Sequence, residues 1–461
     1  MKHGKTIISV YGWLIISMIL LYLSGGDRPL EFAVWFSPIF LLRFFREVKL
    51  WKAVIITLPL MILVTFFADR GILPIPVIVI VILLTAINSA TGLIPYCIDR
   101  LLNHSLPKGL KTLLFPTVAV AVEVFITSNF TGGTWGNPVY GIENLAILQL
   151  VSVTGIWGVM FIIYWTASVF NEVWEHRHQL IDIRKTALSF ISVLVVVYGF
   201  GLWRLHHEKP VVDVLRVAGV TPGPEHRTEM MEIFGKLFSP KRNEIFNAEV
   251  IRTSINEKFN NLLVESSRLA ESGVEMVVWS EAATFVFEKD KETHIQSAVQ
   301  SAQEHKYFIG IALAVLKDNC LDLVANDQPF MENKLLFISS DGDIVWDYSK
   351  MNLAPGYESA MTFRGDGIMK SYRTAKGKIT GAICYDMDFP GYIRQSSTMK
   401  SDVLIAPSND WLEIKNTHTK MARLRAIENG ISLLRPASSG ISIATDPYGN
   451  IVSCVDDFES N

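Results

Sequence analysis

The chain has 461 residues, of which 50% are hydrophobic and 19% are charged, and its formal net charge is -3. That length predicts two or three domains, and the absence of a basic block argues against a nucleic-acid-binding protein. The sequence has neither zinc-type Cys/His spacing nor a Walker-type glycine loop, so no metal and no nucleotide cofactor is expected.

Seven apolar runs crowd the first 204 residues, and each has the length of a membrane span. They lie at 6–23, 30–45, 51–68, 72–98, 110–128, 143–170 and 186–204. One such run could be a buried helix of a soluble protein, but seven in succession predict a multi-pass α-helical membrane domain over residues 1–204. The fourth and sixth runs are long enough to be tilted or to contain an interfacial turn. The first run has no small-residue cleavage site, so it is not a signal peptide.

Lysine and arginine are unevenly distributed among the loops of this region. Eleven lie in the N-terminal segment and in every second loop, namely Lys2, Lys5, Arg43, Arg46, Lys49, Arg100, Lys108, Lys111, Arg177, Arg184 and Lys185. The alternate loops contain only Arg28 and Arg70. Because positively charged loops stay inside, the N-terminus is predicted to be cytoplasmic. Seven crossings then place everything after residue 205 on the outer face of the cytoplasmic membrane.

Residues 211–461 alternate apolar and charged segments, as a soluble α/β domain does. Strands are predicted at 214–220, 276–280, 308–316, 334–339, 343–349, 377–384 and 402–408. Helices are predicted at 245–273, 294–306 and 420–430. The segment 432–454 is expected to form a final strand pair around a Tyr-Gly-Asn turn.

Three reactive residues stand where predicted strands end: Glu281, Lys350 and Cys384. Side chains at such ends can converge in one crevice although they are far apart in the sequence. A carboxylate can take the proton of a thiol while the sulfur attacks a carbonyl carbon. A nearby lysine can compensate the charge that develops on the carbonyl oxygen. Together the three can make and break a thioester.

Each of these residues also has a simpler interpretation. Cys384 could be a buried small hydrophobe, Glu281 a helix-capping carboxylate and Lys350 a solvated loop charge. The cysteine count favours chemistry, because Cys97 lies in a span and the other three cysteines cannot all pair. At least one free thiol therefore belongs to the outer domain.

The segments around the three residues resemble the carbon-nitrogen hydrolase, or nitrilase, superfamily. WSEAAT, YSKMNLAPGYE and GAICYDMDFP are similar to its glutamate, lysine and cysteine motifs, and IAPSNDWL and MARLRAIENGISLLRPASSGIS resemble the sequence that follows them. The resemblance implies a catalytic triad of Glu281, Lys350 and Cys384 on a nitrilase-like α-β-β-α sandwich over residues 211–461. It implies no metal and no organic cofactor.

One branch of that superfamily, apolipoprotein N-acyltransferase, carries this domain on a membrane domain. TWGNPVYGIENLAILQLVSVTGIWGVMFIIYW (134–165) is similar to the Trp, Gln-Leu and Gly-x-x-G pattern of that branch. The resemblance implies that an acyl chain moves from a phospholipid, through a thioester on Cys384, to the N-terminal amine of a diacylated lipoprotein. It also implies a bacterial cytoplasmic membrane location.

The same resemblance suggests three supporting residues. Glu358 is implied as a second acid near the triad, with an exposed loop acid as the alternative, and Tyr385 is implied to flank the nucleophile. Trp411 is expected either on a substrate-facing loop, where it contacts substrate, or packed against the sheet.

Two features depart from the branch. Asp386 stands where the family usually has a glutamate, which is one methylene longer, so a hydrogen bond there is expected to be re-aimed. The branch normally continues into one more membrane span, but this sequence stops at Asn461, as a truncated chain or a variant tethered at one end would.

Two other function classes compete with the acyltransferase. A membrane-anchored amidase would use the same triad and resolve the thioester with water. A binding protein with an inactive triad is the third class. The motif in the membrane half favours the acyltransferase over the amidase, and the presence of all three triad residues argues against the binding protein.

Overall fold

The structure, a computed structural model, describes residues 7–73, 77–107, 109–130, 132–177, 180–207, 213–223 and 225–459. The chain divides into two compact units, Met1–Glu208 and Lys209–Asn461. Lys2, Lys5 and Lys108, which enter the charge count above, lie outside the described residues.

The first unit is helical. Its described α-helices are α1 (Ile7–Ser24), α2 (Glu31–Glu47), α3 (Leu50–Ala68), α4 (Ile78–Leu102), α5 (Lys111–Asn129), α6 (Leu145–Leu148), α7 (Val151–Thr154), α8 (Ile156–Glu175) and α9 (Leu180–His206). Five of them, α3, α4, α5, α8 and α9, contain segments long and apolar enough to cross a membrane. In α8, 67% of the apolar segment is buried, against 17% in α3, α4 and α9. So much exposed apolar surface fits contact with lipid, and the number of seven crossings stays a prediction.

The sixth apolar run of the sequence is interrupted rather than continuous. It contains α6, α7 and α8, and the Asn144 side chain begins α6 by accepting hydrogen bonds from the backbone N–H groups of Ala146 and Ile147. Gly155 ends α7 with a φ of 64°, a conformation that glycine adopts without strain. A side chain at Gly158 would collide with Thr154, which keeps this turn tight.

The second unit contains two large β-sheets. The strands of the first sheet are β1 (Val217–Val220), β2 (Met276–Trp279), β3 (Thr284–Phe287), β4 (Phe308–Leu316), β5 (Met331–Ile338), β6 (Ile344–Ser349) and β7 (Thr362–Phe363). Their order is β1-β2-β4-β5-β6, with β3 also beside β4 and β7 beside β5. Strands β1, β2 and β4 run parallel, whereas β5 and β6 are antiparallel additions.

The remaining strands form the second sheet and a small parallel pair. They are β8 (Ser371–Thr374), β9 (Gly377–Gly381), β10 (Val403–Ile405), β11 (Ser408–Asn409), β12 (Ser432–Arg435), β13 (Ala437–Ser438), β14 (Ile441–Thr445) and β15 (Ile451–Asp456). The second sheet has the order β15-β14-β12-β10-β9-β8, and β11 pairs with β13. The helices of the unit are α10 (His226–Phe238), α11 (Arg242–Ile245), α12 (Ala248–Glu271), α13 (Lys291–His305), α14 (Cys320–Ala325), α15 (Tyr357–Met361), α16 (Pro390–Thr398) and α17 (Lys415–Asn429).

The two sheets pack face to face, and helices cover their outer faces. Val278 and Phe337 of the first sheet share one buried core with Ile379 and Ile405 of the second. Helices α12 and α13 pack on the outer face of the first sheet, and α16 and α17 on that of the second. Alternate residues of each strand therefore enter different cores, as the period of two requires. This arrangement confirms the predicted α-β-β-α sandwich.

The sequence prediction missed several elements of this unit, among them helices α10 and α16 and strands β3 and β8. Segment 432–454 forms the four strands β12 to β15 rather than one pair, because Pro436 has no N–H with which to continue β12. The predicted turn is present: Asp446 accepts hydrogen bonds from the backbone N–H groups of Tyr448 and Asn450, and Gly449 has a φ of 84°.

Candidate active site

Glu281, Lys350 and Cys384 come together between the two sheets. Glu281 follows β2 and Lys350 follows β6 in the first sheet, while Cys384 follows β9 in the second. Their exposed fractions are 5%, 2% and 8%. The Lys350 ammonium donates a hydrogen bond to Glu281 Oε1 at 2.8 Å, and both charges act on the Cys384 thiol. Strand ends from facing sheets thus converge as the sequence predicts.

Three donors fix the carboxylate of Glu281. Lys350 Nζ and Asn333 Nδ2 donate to Oε1 at 2.8 and 2.7 Å, and the backbone N–H of Asn409 donates to Oε2 at 2.9 Å. A carboxylate has about four acceptor positions, so Oε2 keeps capacity for one more proton donor. The residue after Glu281, Ala282, has a φ of 47°, so the chain turns sharply here.

Lys350 is a buried ammonium held between two acids. Besides Glu281, it donates to both carboxylate oxygens of Glu358, at 2.7 and 2.9 Å. Burial by itself lowers the pKa of Lys350, but the two carboxylates outweigh it and raise that pKa well above its ordinary value. The lysine is therefore positively charged throughout the physiological pH range.

Glu358 lies at the triad, as the resemblance implies. Its carboxylate also accepts hydrogen bonds from the Ala354 backbone N–H at 2.7 Å and from Asn333 Nδ2 at 3.1 Å. The Asn333 side chain thus donates to both acids that flank Lys350. Asn333 was not predicted, because it stands between the charged residues Glu332 and Lys334 near the start of β5, where nothing in the sequence distinguishes it.

Cys384 begins a tight turn in a strained conformation. Its φ of 46° is rare for a residue with a side chain, and its backbone N–H donates to Pro407 O at 2.9 Å. Burial raises the pKa of the Cys384 thiol, the charge of Glu281 raises it further, and the charge of Lys350 opposes both. The thiol is therefore protonated at rest, so it needs a base in order to attack. All four cysteines of the chain are free.

Asp386 ties the cysteine turn to the first sheet. Its carboxylate accepts hydrogen bonds from the Ile383 backbone N–H at 3.0 Å, the Asn352 backbone N–H at 2.8 Å and the Tyr348 hydroxyl at 2.6 Å. Burial raises the pKa of Asp386 to about 6, and these hydrogen bonds oppose that shift. The shorter side chain at this position thus still orients the turn that carries Cys384.

Tyr385 and Trp411, the other two predicted residues, differ in how deeply they are buried. Tyr385 is buried beside Cys384, and its ring packs edge-on against Phe389 with ring centres 5.3 Å apart. Burial also raises the pKa of its hydroxyl, so it stays protonated. Trp411 lies half-buried in the loop between β11 and α17, where its carbonyl accepts from the Ile414 backbone N–H at 3.1 Å.

Behind Cys384 lies a buried group of charged side chains that was not predicted. We call it the charge cluster, and its members are Asp388, Asp410, His418 and Arg435. Arg435 donates to both oxygens of Asp410, at 2.9 and 2.7 Å. The two ring nitrogens of His418 lie 2.7 Å from Asp410 and 3.2 Å from Asp388.

Among the described residues outside the membrane unit, one group of three possible metal ligands includes the thiol of Cys384 and two members of the charge cluster. The sulfur of Cys384, one carboxylate oxygen of Asp410 and one ring nitrogen of His418 lie within 4.8 Å of one another. Three such atoms could in principle hold a metal ion. Here, however, both imidazole nitrogens are already in ion pairs, and Arg435 covers both oxygens of Asp410.

Two family models match the chain in different parts. The one described as carbon-nitrogen hydrolase matches residues 247–461, and the one described as apolipoprotein N-acyltransferase N-terminal domain matches residues 17–169. The first match contains Glu281, Lys350 and Cys384. Both halves of the chain are therefore matched.

Curated relatives match across both parts. An apolipoprotein N-acyltransferase of Rickettsia prowazekii is 23% identical over 74% of this chain and 66% of its own length. Apolipoprotein N-acyltransferase 2 of Treponema denticola is 23% identical over 78% of this chain and 72% of its own length. The apolipoprotein N-acyltransferase of Shewanella oneidensis is 25% identical over 85% of this chain and 75% of its own length. The chain thus spans about two thirds to three quarters of the length of these relatives.

Among solved structures, a carbon-nitrogen hydrolase of Helicobacter pylori is 19% identical, with 45% of this chain and 81% of that chain covered at a TM-score of 0.39. The two family matches, which follow each other along one chain, carry the assignment. The chain thus carries a segment similar to apolipoprotein N-acyltransferase N-terminal domains, followed by a segment that matches carbon-nitrogen hydrolases, and it is similar to the apolipoprotein N-acyltransferases over both.

Proposed function

We propose that this protein is a membrane N-acyltransferase that works through a thioester on Cys384. The acyl donor is a phospholipid, and the acceptor is the N-terminal amine of a diacylated lipoprotein. The observation that carries the proposal is the buried ammonium of Lys350, which two carboxylates hold beside a strained cysteine thiol. Relatives named apolipoprotein N-acyltransferase, similar over both units, support the choice of reaction.

In the first half-reaction, Glu281 takes the proton of the Cys384 thiol as the sulfur attacks the ester carbonyl of the phospholipid. The C–S bond forms, and the Lys350 ammonium stabilises the charge on the carbonyl oxygen. When the ester C–O bond breaks, the proton on Glu281 passes to the departing alkoxide, which leaves as a lysophospholipid. The raised pKa of Cys384 makes this coupled proton transfer necessary.

In the second half-reaction, the acceptor amine attacks the thioester. The C–N bond forms, the C–S bond breaks, and the proton lost by the amine returns to the Cys384 sulfur through Glu281. Glu358 keeps Lys350 in place through both steps, and Tyr385 lines the nucleophile. We assign Trp411 to a substrate-facing loop. The reaction consumes neither water nor a cofactor.

The intermediate itself provides the direct test. Intact-protein mass after exposure to phospholipid vesicles is expected to rise by one fatty acyl chain, and peptide mapping is expected to place that chain on Cys384. Cys384→Ala should acquire no mass, since it has no sulfur to acylate. An amidase that ignores phospholipids would give no adduct with the wild-type protein either, and that result would contradict the proposal.

We also propose that the chain lies in the bacterial cytoplasmic membrane with residues 205–461 on the outer face. The helices long and apolar enough to span a membrane and the uneven distribution of Lys and Arg support this orientation. A membrane location keeps the enzyme beside its donor, because phospholipids do not readily leave the bilayer.

The orientation predicts where a protease can act. A membrane-impermeant protease added to intact spheroplasts is expected to remove residues 205–461, while a cytoplasmic marker protein stays whole. Lysed spheroplasts serve as the control in which both are cleaved. Protection of the domain until lysis would reverse the orientation.

A further inference from the structure

The charge cluster of Asp388, Asp410, His418 and Arg435 adjoins the nucleophile from two sides. Asp388 is the last residue of the turn that Cys384 begins, and Asp410 follows Asn409, whose backbone N–H donates to Glu281. The backbone N–H of Asp410 donates to Ser438 O at 3.0 Å, which fixes this segment beside β13. Asp388 therefore shares the turn that begins at Cys384, and Asp410 lies in the segment that donates a hydrogen bond to Glu281.

The cluster is fully buried and its charges balance. All four side chains are at most 2% exposed. Burial by itself lowers the pKa of His418, but Asp410 and Asp388 outweigh it and raise the pKa to about 9. Burial raises the pKa of Asp410, but Arg435 and His418 outweigh it and lower the pKa. Arg435 Nη2 also lies 2.9 Å from His418 Nδ1, so the two cations of the cluster are side by side. With Asp388 and Asp410 as carboxylates, the net charge of the cluster is zero.

We infer that the charge cluster positions Cys384 and balances the charge beside it. Arg435 offsets one carboxylate of the cluster, and the His418 cation offsets the other. This inference rests on the proposed function only in making the Cys384 thiolate the reacting species. The sulfur lies within 4.8 Å of both Asp410 and His418, a distance at which buried charges act strongly on each other. Without the imidazolium, the thiolate would form beside a net negative charge.

The other charges that act on the Cys384 thiol cannot replace this cation. The single charge of Lys350 is already shared between two carboxylates, those of Glu281 and Glu358, to which it is hydrogen-bonded. On the helix that carries His418, Lys415 is paired with Asp456. The balance around the sulfur therefore depends on His418 and Arg435, and His418 is the nearer of the two to Asp388.

The test measures ionisation of the thiol rather than acyl transfer. Iodoacetamide reacts with thiolates, so the rate of Cys384 alkylation against pH, followed by peptide mass in the detergent-solubilised full chain, gives the titration of this thiol. In His418→Gln, we expect the titration to move to higher pH by about one unit and alkylation near neutral pH to slow by about tenfold. Alkylation of the exposed Cys454 in the same samples is the internal control and should not change.

Restoring the charge balance of the cluster should restore the titration of the Cys384 thiol. In the double variant His418→Gln/Asp388→Asn one cation and one anion are lost, so the Cys384 titration is expected to return toward that of the wild type. Asp388→Asn alone leaves the cluster with a net positive charge, so it should shift the titration to lower pH. This single variant also provides a test if His418→Gln does not fold.

Two outcomes would overturn the inference. In the first, Cys384 titrates in all variants as it does in the wild type. In the second, alkylation of Cys384 in the double variant is as slow as in His418→Gln, and the cluster then has a packing role only. Failure of the proposed function is separate, because it would appear as a wild-type protein that takes up no acyl chain from phospholipid vesicles, whatever the alkylation titrations show.

Discussion

Cys384→Ala is expected to abolish acyl transfer altogether, because no thioester can form without the sulfur. Glu281→Gln keeps the shape of the side chain but removes its basicity, and we expect it to lower the rate by on the order of a hundredfold or more. Lys350→Ala removes the charge that opposes the oxyanion, and a loss of similar size is expected. Transfer of a radiolabelled acyl chain from phospholipid to a diacylated peptide measures all three.

The controls separate chemistry from folding. Glu265→Gln makes the same substitution in an exposed pair with Arg268 on α12, and it should leave the rate unchanged. Alanine at 384 keeps the Cβ atom and tolerates the same φ of 46° about as well as cysteine does, so the thermal melting of that variant should stay close to the wild type. Transfer near the wild-type rate in any of the three triad variants would refute the assigned roles.

Much of the α/β fold was predictable because its central strands are buried on both faces. The segments that became β2, β4, β5 and β10 are short apolar runs bounded by polar residues, which is the pattern of strands inside a layered domain. Of the three triad residues, Glu281 follows such a run, whereas Lys350 follows the half-exposed strand β6 and Cys384 follows β9, of which only the last three residues are buried. Sequence motifs favoured a catalytic role for each residue over the alternatives, and these catalytic roles stay a prediction.

Helix α10 was missed although its apolar residues, at 230, 233, 234 and 237, have helical spacing. It is 13 residues long, and only His226 and Leu237 are fully buried, so the pattern is weak against a background of charged neighbours. The interruption at Gly155 within the sixth apolar run could not be located, because hydropathy does not register backbone conformation. In both cases local structure depends on contacts that the local sequence does not encode.

The charge cluster could not be predicted from the sequence at all. Its members come from the turn after Cys384, the loop after β11, helix α17 and strand β12, and only packing of the second sheet brings them together. Arg435 and His418 look individually like residues of an ordinary strand and helix. Asp386 shows the opposite case, since the family resemblance singled it out two residues after the nucleophile and the structure supplied its three partners.

The second large effect expected concerns what releases the acyl chain from Cys384. Water is far more concentrated than any protein amine, so a transferase must keep water from a productive approach to the thioester until the acceptor binds. The triad residues are at most 8% exposed, and Tyr385 packs with Phe389 beside the sulfur. These side chains, together with Glu358 and the loop of Trp411, are the proposed barrier to water.

We therefore expect the enzyme loaded from phospholipid to hold its acyl chain stably in buffer. A diacylated peptide with a free N-terminal cysteine amine should discharge it on the order of a hundredfold faster, because a bound, oriented amine reacts as an intramolecular nucleophile. The N-acetylated peptide is the matched control, since it binds through the same lipid chains but its amide nitrogen is not nucleophilic. Decay of the acylated protein mass under the three conditions is the measurement. Rapid loss in buffer with release of free fatty acid would identify a hydrolase, whereas a stable adduct that ignores the free-amine peptide would show that the acceptor is a different amine.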